Sequence, residues 1–209
     1  LYLRLSELIA SIKAMTETPI AVLTNGSLLW DRDVQDGLAE ADLVIPSLDA
    51  GDSSLFRHIN RPHDSISFDR MLEGLAEFRS RFSGAYWLEV FLLGGMTATP
   101  AEVDKISRLV ERIRPDRVQL NTVTRPPAED SALPVSKEDM QRFAARLGAR
   151  AEVIADFRGV HREAEFTAKR EDVLHLLRRR PCTADDLAAG LGMHANEAAK
   201  HVAELLERG

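Results

Sequence analysis

The sequence predicts an α/β protein built on a parallel sheet, and three observations carry that expectation. Four apolar runs, residues 19–27 (PIAVLTNGS), 42–52 (DLVIPSLDAGD), 87–95 (WLEVFLLGG) and 117–127 (RVQLNTVTRPP), each have the length of a buried strand. Each run stops on a cluster of small polar or charged residues. Stretches with helical periodicity lie between the runs, and strand–helix alternation implies right-handed crossovers and therefore parallel strands. The pattern suits half to two-thirds of a barrel, or an open doubly wound sheet.

The elements follow in order. Leu5, Leu8, Ile9 and Ile12 recur at helical spacing and predict a helix over 4–16. A strand over 19–24 follows, then a helix over 31–40 started by Asp31 or Asp33, and a strand over 42–47. Ser65 or Ser67 opens a helix over 66–82, ahead of a strand over 86–92. Thr99 caps a helix over 100–113 with Pro100 at its first position, and a strand over 117–122 comes next. Ser136, ahead of Glu138 and Asp139, starts a helix over 136–147 that Gly148 closes, before a strand over 151–156. Two polar, irregular stretches read as long loops: residues 51–64, ending in Asn60-Arg61-Pro62-His63, and residues 124–134, with Arg125, Pro126, Pro127 and Pro134. Loops of that length are uncommon without a task, and both follow a strand on the rim where parallel folds bind ligands.

From about residue 163 the character changes. A helix over 172–180 ends in Arg178, Arg179 and Arg180, Thr183 caps residues 184–189, Gly190 breaks them, and a third helix covers 196–206. That is the pattern of a helix-turn-helix. Residues 161–209 hold eight Lys/Arg against nine Asp/Glu, a net of −1, so DNA binding through the tail is not expected. The domains read as 1–158 and 163–209.

The formal net charge of −6 gives no general attraction to nucleic acid or anionic membranes. No apolar run approaches the roughly 20 residues that cross a bilayer. One cysteine, Cys182, excludes an internal disulfide framework and any site built from several thiolates. These readings give a cytoplasmic protein. The chain opens on Leu1 and runs straight into an amphipathic helix, which reads as a fragment cut just before or inside its first helix.

The six histidines form no HExxH pattern, and neither a P-loop nor a GxGxxG is present, so the catalytic residues are not legible and no metal ligand is assigned. Thr24, Asn25, Ser47, Asp49, Glu89 and Asn121 should converge on the carboxyl rim of the strands. Glu89 lies between Leu88 and Val90 in an apolar strand, where an unpaired carboxylate is costly. It should therefore face a polar cavity or meet a cation. Arg57, Arg61 and Arg125, in the two rim loops, are candidates for a substrate phosphate; solvated loop residues are the plainer reading.

The blocks LTNGS (23–27), DLVIPSLDAGD (42–52), FRHINRPH (56–63), WLEVFLLGG (87–95) and RPDRVQLNTVTRPPAE (114–129), in this order and spacing, resemble radical S-adenosylmethionine proteins. The nearest group is the one related to the tRNA wyosine-synthesis enzymes. The resemblance implies a parallel partial (β/α)6 barrel, here lacking its first strands and followed by the small all-α tail. It implies S-adenosylmethionine and a 4Fe–4S cluster as cofactors of the complete protein, an electron donor as partner, and RNA as one candidate substrate. Thr24, Asn25 and Ser47 would then contact the methionine end or ribose, Asp49 the ribose hydroxyls or the sulfonium's surroundings, and Asn121 the adenine or ribose edge. Glu89 would face either cofactor or substrate. The CxxxCxxC motif that holds the family's cluster is absent here. A non-catalytic ligand-binding or regulatory protein using the same rim is the alternative.

Overall fold

The computed structural model describes residues 4–124 and 132–157, together with positions 177, 183, 187, 202 and 203. The chain divides into two compact units, Leu1–Thr122 with Leu133–Ile154, and Val123–Ala132 with Ala155–Gly209. The expected helix-turn-helix tail, Cys182 and Arg125 lie outside the described residues.

The first unit runs α1 (Leu5–Met15), β1 (Ala21–Thr24), α2 (Arg32–Leu38), β2 (Leu43–Pro46), α3 (Ser53–Asn60), α4 (Phe68–Arg81), β3 (Ala85–Leu92), α5 (Pro100–Ile113), β4 (Arg117–Thr122), α6 (Lys137–Leu147) and β5 (Ala151–Val153). The five strands are all parallel and lie in the order β1-β2-β3-β4-β5. A doubly wound sheet reverses its order at a switch point, and this one does not. Consecutive order with right-handed crossovers puts the helices on one face and leaves the other as the inner wall of a partial barrel.

Burial follows that division. Tyr86, Leu88, Val90 and Leu92 alternate along β3 at 0% exposure, while Ala85, Trp87, Glu89 and Phe91 between them are half-buried. Along β4, Val118, Leu120 and Thr122 are buried, whereas Gln119 and Asn121 are half-buried and Arg117 is exposed. Each fully buried aliphatic side chain contributes about 1.5–3 kcal/mol, so the helix-facing row holds the sheet and the concave row is free to carry polar groups.

The helix starts are set by the capping residues named above. Asp31 caps α2, Ser67 caps α4, Thr99 caps α5 with Pro100 in its first turn, and Ser136 caps α6, which Gly148 ends at φ +96°. One expectation is corrected: residues 51–64 are not an irregular loop. Asp52 accepts from the amides of Ser54 and Leu55 and starts α3, and Arg61 ends it in the left-handed region. Only two turns long, the helix buries Phe56 and half-buries Leu55 and Ile59, a helical stripe too short to stand out among polar neighbours.

Aspartates secure the amino ends of the strands. Asp42 Oδ2 accepts from the Ile20 amide (2.7 Å) and Oδ1 from Lys13 Nζ (2.8 Å). Asp116 repeats the device, taking the Tyr86 amide (2.8 Å) and Arg79 Nη2 (2.7 Å). Asp116→Ala leaves the Tyr86 amide without its acceptor and is expected to cost about 1–3 kcal/mol in urea unfolding; an unchanged midpoint would show that the backbone ladder alone holds this end. Among the described residues no helix is long and apolar enough to cross a membrane.

Candidate functional site

Polar residues gather at the carboxyl ends of β1 to β4, those of β2 to β4 on the concave side. After β1, Thr24 Oγ1 accepts from the Gly26 amide (3.2 Å), and Asn25 Oδ1 accepts from the Ser27 amide (3.1 Å) and hydroxyl (2.8 Å). Gly26 makes the turn possible at φ +71°. Thr24 and Asn25 therefore stand at the carboxyl end of β1 with side-chain oxygens engaged in shaping their own turn, and Thr24, in register with Pro46, belongs to the same row as the buried Val44 rather than to the concave one.

Ser47 follows β2 and bridges to Glu89 of β3; its amide donates to the Thr24 carbonyl (3.1 Å), and the Leu48 amide donates to the Glu89 carbonyl (2.8 Å). Glu89 Oε1 accepts from Asn121 Nδ2 (3.1 Å), whose own Oδ1 accepts from the Thr122 amide (2.9 Å). Asp49 Oδ1 accepts from the Phe91 amide (3.1 Å) and Oδ2 from Asn60 Nδ2 (2.8 Å). Ser47, Asp49, Glu89 and Asn121 thus lie near one another at the ends of three neighbouring strands: Glu89 and Asn121 are joined side chain to side chain, while Ser47 and Asp49 are tied to β3 through backbone groups. Glu89 avoids the burial penalty by pairing with Asn121 and by facing the half-open concave side.

Burial pushes the Asp49 carboxyl above its ordinary value, and the nearby Glu89 charge adds to the rise; the Asn60 amide and the Phe91 N–H oppose it. A carboxyl raised in the folded state binds its proton more tightly there than in the unfolded chain. Its contribution to stability is fully present below the unfolded value of about 3.9 and fades as pH rises through the folded value. Asp49→Asn is therefore expected to stabilise the ligand-free chain at neutral pH and to flatten the stability–pH curve above pH 4. Urea unfolding between pH 4 and 7 checks this, and parallel curves for the two proteins would contradict it.

Below the rim the concave wall continues polar. Gln119 Nε2 donates to Glu152 Oε1 (3.1 Å), Arg117 lies 3.7 Å from the same oxygen, and its guanidinium stands over the Trp87 ring at 5.0 Å. These were missed as site residues, although the alternation Arg117, Gln119, Asn121 along β4 is a legible polar stripe. Asn60 is not legible as a rim residue, because α3 is hidden in a polar stretch. Arg57 lies on α3 and lines a cavity of about 350 Å³ whose wall also carries Phe56, Phe68, His63, Asp64 and Asp69. Arg61 ends α3, and Arg125 lies outside the described residues.

The parallel partial barrel is a fold found in solved structures. A domain of a pyruvate-formate lyase-activating enzyme from Bacteroides vulgatus superposes with a TM-score of 0.57 at 16% identity, covering 72% of this chain and 91% of that one. A radical SAM methyltransferase from Sphaerobacter thermophilus gives 0.53 at 23% identity, covering 68% of this chain and 41% of that one. These likenesses establish the fold. In sequence, the chain is similar over its whole length to a protein named GTPase Obg from Brachyspira hyodysenteriae, at 40% identity and 30% of that protein's length. It is 34% identical over 62% of its length to a UPF0026 protein of Methanocaldococcus jannaschii, of which it covers 40%. A UPF0026 protein of Helicobacter pylori is 30% identical over 99% of this chain and 66% of its own length. The chain thus spans between about a third and two-thirds of these curated relatives. No family model matches it.

Proposed function

We propose that this chain forms the S-adenosylmethionine-binding part of a radical S-adenosylmethionine enzyme, as in the group related to tRNA wyosine synthesis. The observation that carries the reading is the gathering of Ser47, Asp49 and the bonded Glu89–Asn121 pair at the carboxyl ends of β2 to β4, on the open face of a barrel wall. The donor set suits the cofactor. Two carboxylates on one rim favour a cation, and the ligand brings a sulfonium and an ammonium. The Asn121 amide and the Ser47 hydroxyl match a carboxylate or ribose hydroxyls, and Trp87 and Phe91 offer half-buried ring surface beside them. Bound there, the cofactor would supply the 5′-deoxyadenosyl group, while the chain orients it and excludes water.

The 4Fe–4S cluster does not fit these 209 residues. Three thiolates are needed, and the sequence holds Cys182 alone. Among the described residues no group of three His, Cys, Asp or Glu could hold a metal ion. The three ligands would have to come from outside these residues. The GTPase name of one relative is not carried over, because the chain has no GxxxxGK[ST] phosphate loop.

The test is 5′-deoxyadenosine formation from S-adenosylmethionine with a strong reductant after anaerobic iron–sulfur reconstitution. No product is expected from the 209-residue chain, and product is expected from a longer form that carries a CxxxCxxC segment. Product from the 209-residue chain would overturn the ligand argument; none from the longer form would overturn the enzyme reading. The single cysteine favours a second reading, a non-catalytic ligand-binding or regulatory protein, which predicts binding at the rim with no cleavage in either form. RNA as substrate and an electron donor as partner belong to the enzyme reading.

A further inference from the structure

Glu102 stands where a helix-capping carboxylate would stand, and does something else. Thr99-Pro100-Ala101-Glu102 opens α5 with a threonine N-cap and a glutamate three residues later, the pattern of a capping box. Thr99 performs its half: its Oγ1 accepts from the Glu102 amide (3.3 Å). The glutamate of a capping box would return to the Thr99 amide, but that amide donates to the Thr97 carbonyl (2.9 Å). The Glu102 carboxylate leaves its own helix and accepts from the Gly51 amide, in the segment joining β2 to α3.

The carboxylate is buried, with the residue 5% exposed, and Lys105 Nζ neutralises it at 2.9 Å while also pairing with Asp52 Oδ2 at 2.6 Å. Asp52 in turn caps α3. A Cβ on Gly51 would fall 2.4 Å from Lys105 Cβ and 2.7 Å from Glu102 Oε1, so the two segments touch with no room between them. A buried carboxylate is costly unless paired and hydrogen-bonded, and a cap at the surface would need neither burial nor an ammonium partner. What the arrangement secures lies two residues from Gly51. Asp49 reaches the Phe91 amide and Asn60 only while residues 48–52 stay against β3 and α3.

We propose that Glu102 is a positioning residue of the rim: by gripping the Gly51 amide it holds residues 48–52 against α5 and keeps the Asp49 carboxylate on the end of β3. The consequence for ligand binding rests on the reading of the rim as the S-adenosylmethionine site; the consequence for Asp49 does not.

The test uses the full 209-residue chain and two variants, Glu102→Gln, which keeps an acceptor for Gly51, and Glu102→Ala, which removes it. NMR follows the Gly51 amide proton and the titration of the Asp49 carboxyl carbon without ligand. The Gly51 proton is expected downfield in the wild type, as for a charge-assisted bond, and upfield of that position in Glu102→Gln. Asp49 should titrate in Glu102→Gln as in the wild type, and fall toward the ordinary carboxylate value in Glu102→Ala. A folded Glu102→Ala with unchanged Asp49 titration would overturn the proposal. If that variant does not fold, a Gly51 proton that sits at an ordinary position and ignores Glu102→Gln overturns it as well. In S-adenosylmethionine titrations Glu102→Ala should weaken binding roughly tenfold, as for one lost bond to a charged group, with Glu102→Gln restoring most of it. A shifted Asp49 in a chain that binds no S-adenosylmethionine at all would uphold the positioning role and defeat the cofactor reading.

Discussion

Gly74→Ala is expected to destabilise the chain by about 3 kcal/mol, a fall in Tm of roughly 6–12 °C. Helix propensity alone predicts the opposite, a gain of about 1 kcal/mol for replacing a glycine in a helix interior. The contact decides the sign. A Cβ at Gly74, in the middle of α4, would lie 2.3 Å from the Trp30 amide nitrogen and 2.6 Å from the Leu29 carbonyl carbon. Both are backbone atoms and cannot rotate aside. The segment they belong to is also tied down: Gln35 Nε2 donates to the Leu29 carbonyl (2.7 Å), Trp30 Nε1 to the Ser27 carbonyl (3.0 Å), and the Arg70 guanidinium covers the Trp30 ring at 3.4 Å. Relief requires moving the whole turn after β1, so Thr24 and Asn25 shift with it. Thermal unfolding checks this, and a raised Tm would mean that α4 and the turn are not in contact.

Glu89→Gln is expected to weaken S-adenosylmethionine binding by about 2–3 kcal/mol, roughly 30- to 150-fold, with little change in stability. Glutamine keeps the volume and an acceptor for Asn121 Nδ2 (3.1 Å from Glu89 Oε1), so the fold loses little. On the proposed reading, the cationic ligand loses one of the two carboxylates at the rim. Isothermal titration of wild type and variant measures the difference. Equal affinities would place the sulfonium and ammonium elsewhere, and a large loss of Tm would recast Glu89 as a structural residue.

The strands and most helix starts were legible because each rests on local chemistry. Ser67, Thr99 and Ser136 cap helices through their own oxygens, and the first four strands end within one residue of the ends expected from their apolar runs. That Ser47, Asp49, Glu89 and Asn121 share a rim follows from parallel strands, which deliver whatever ends or follows them to one end of the sheet. What was not legible depends on distant pairs. The choice between barrel wall and doubly wound sheet needs the strand order, which no local pattern encodes. α3 was hidden by its length: its eight residues carry a stripe that a polar loop also shows by chance. Glu102 reads as half of a capping box, and only the Gly51 amide, 51 positions away, shows its use.

The central claim is that the rim of β2 to β4 is the S-adenosylmethionine site. It is tested most directly by titrating the isotopically labelled 209-residue chain with S-adenosylmethionine and following its amide spectrum. Saturable shifts at Ser47, Asp49, Glu89, Phe91 and Asn121, lost together in Glu89→Gln, are predicted. No shift at millimolar ligand, or shifts gathered around Asp42 and Asp116 at the opposite end of the strands, would contradict the account.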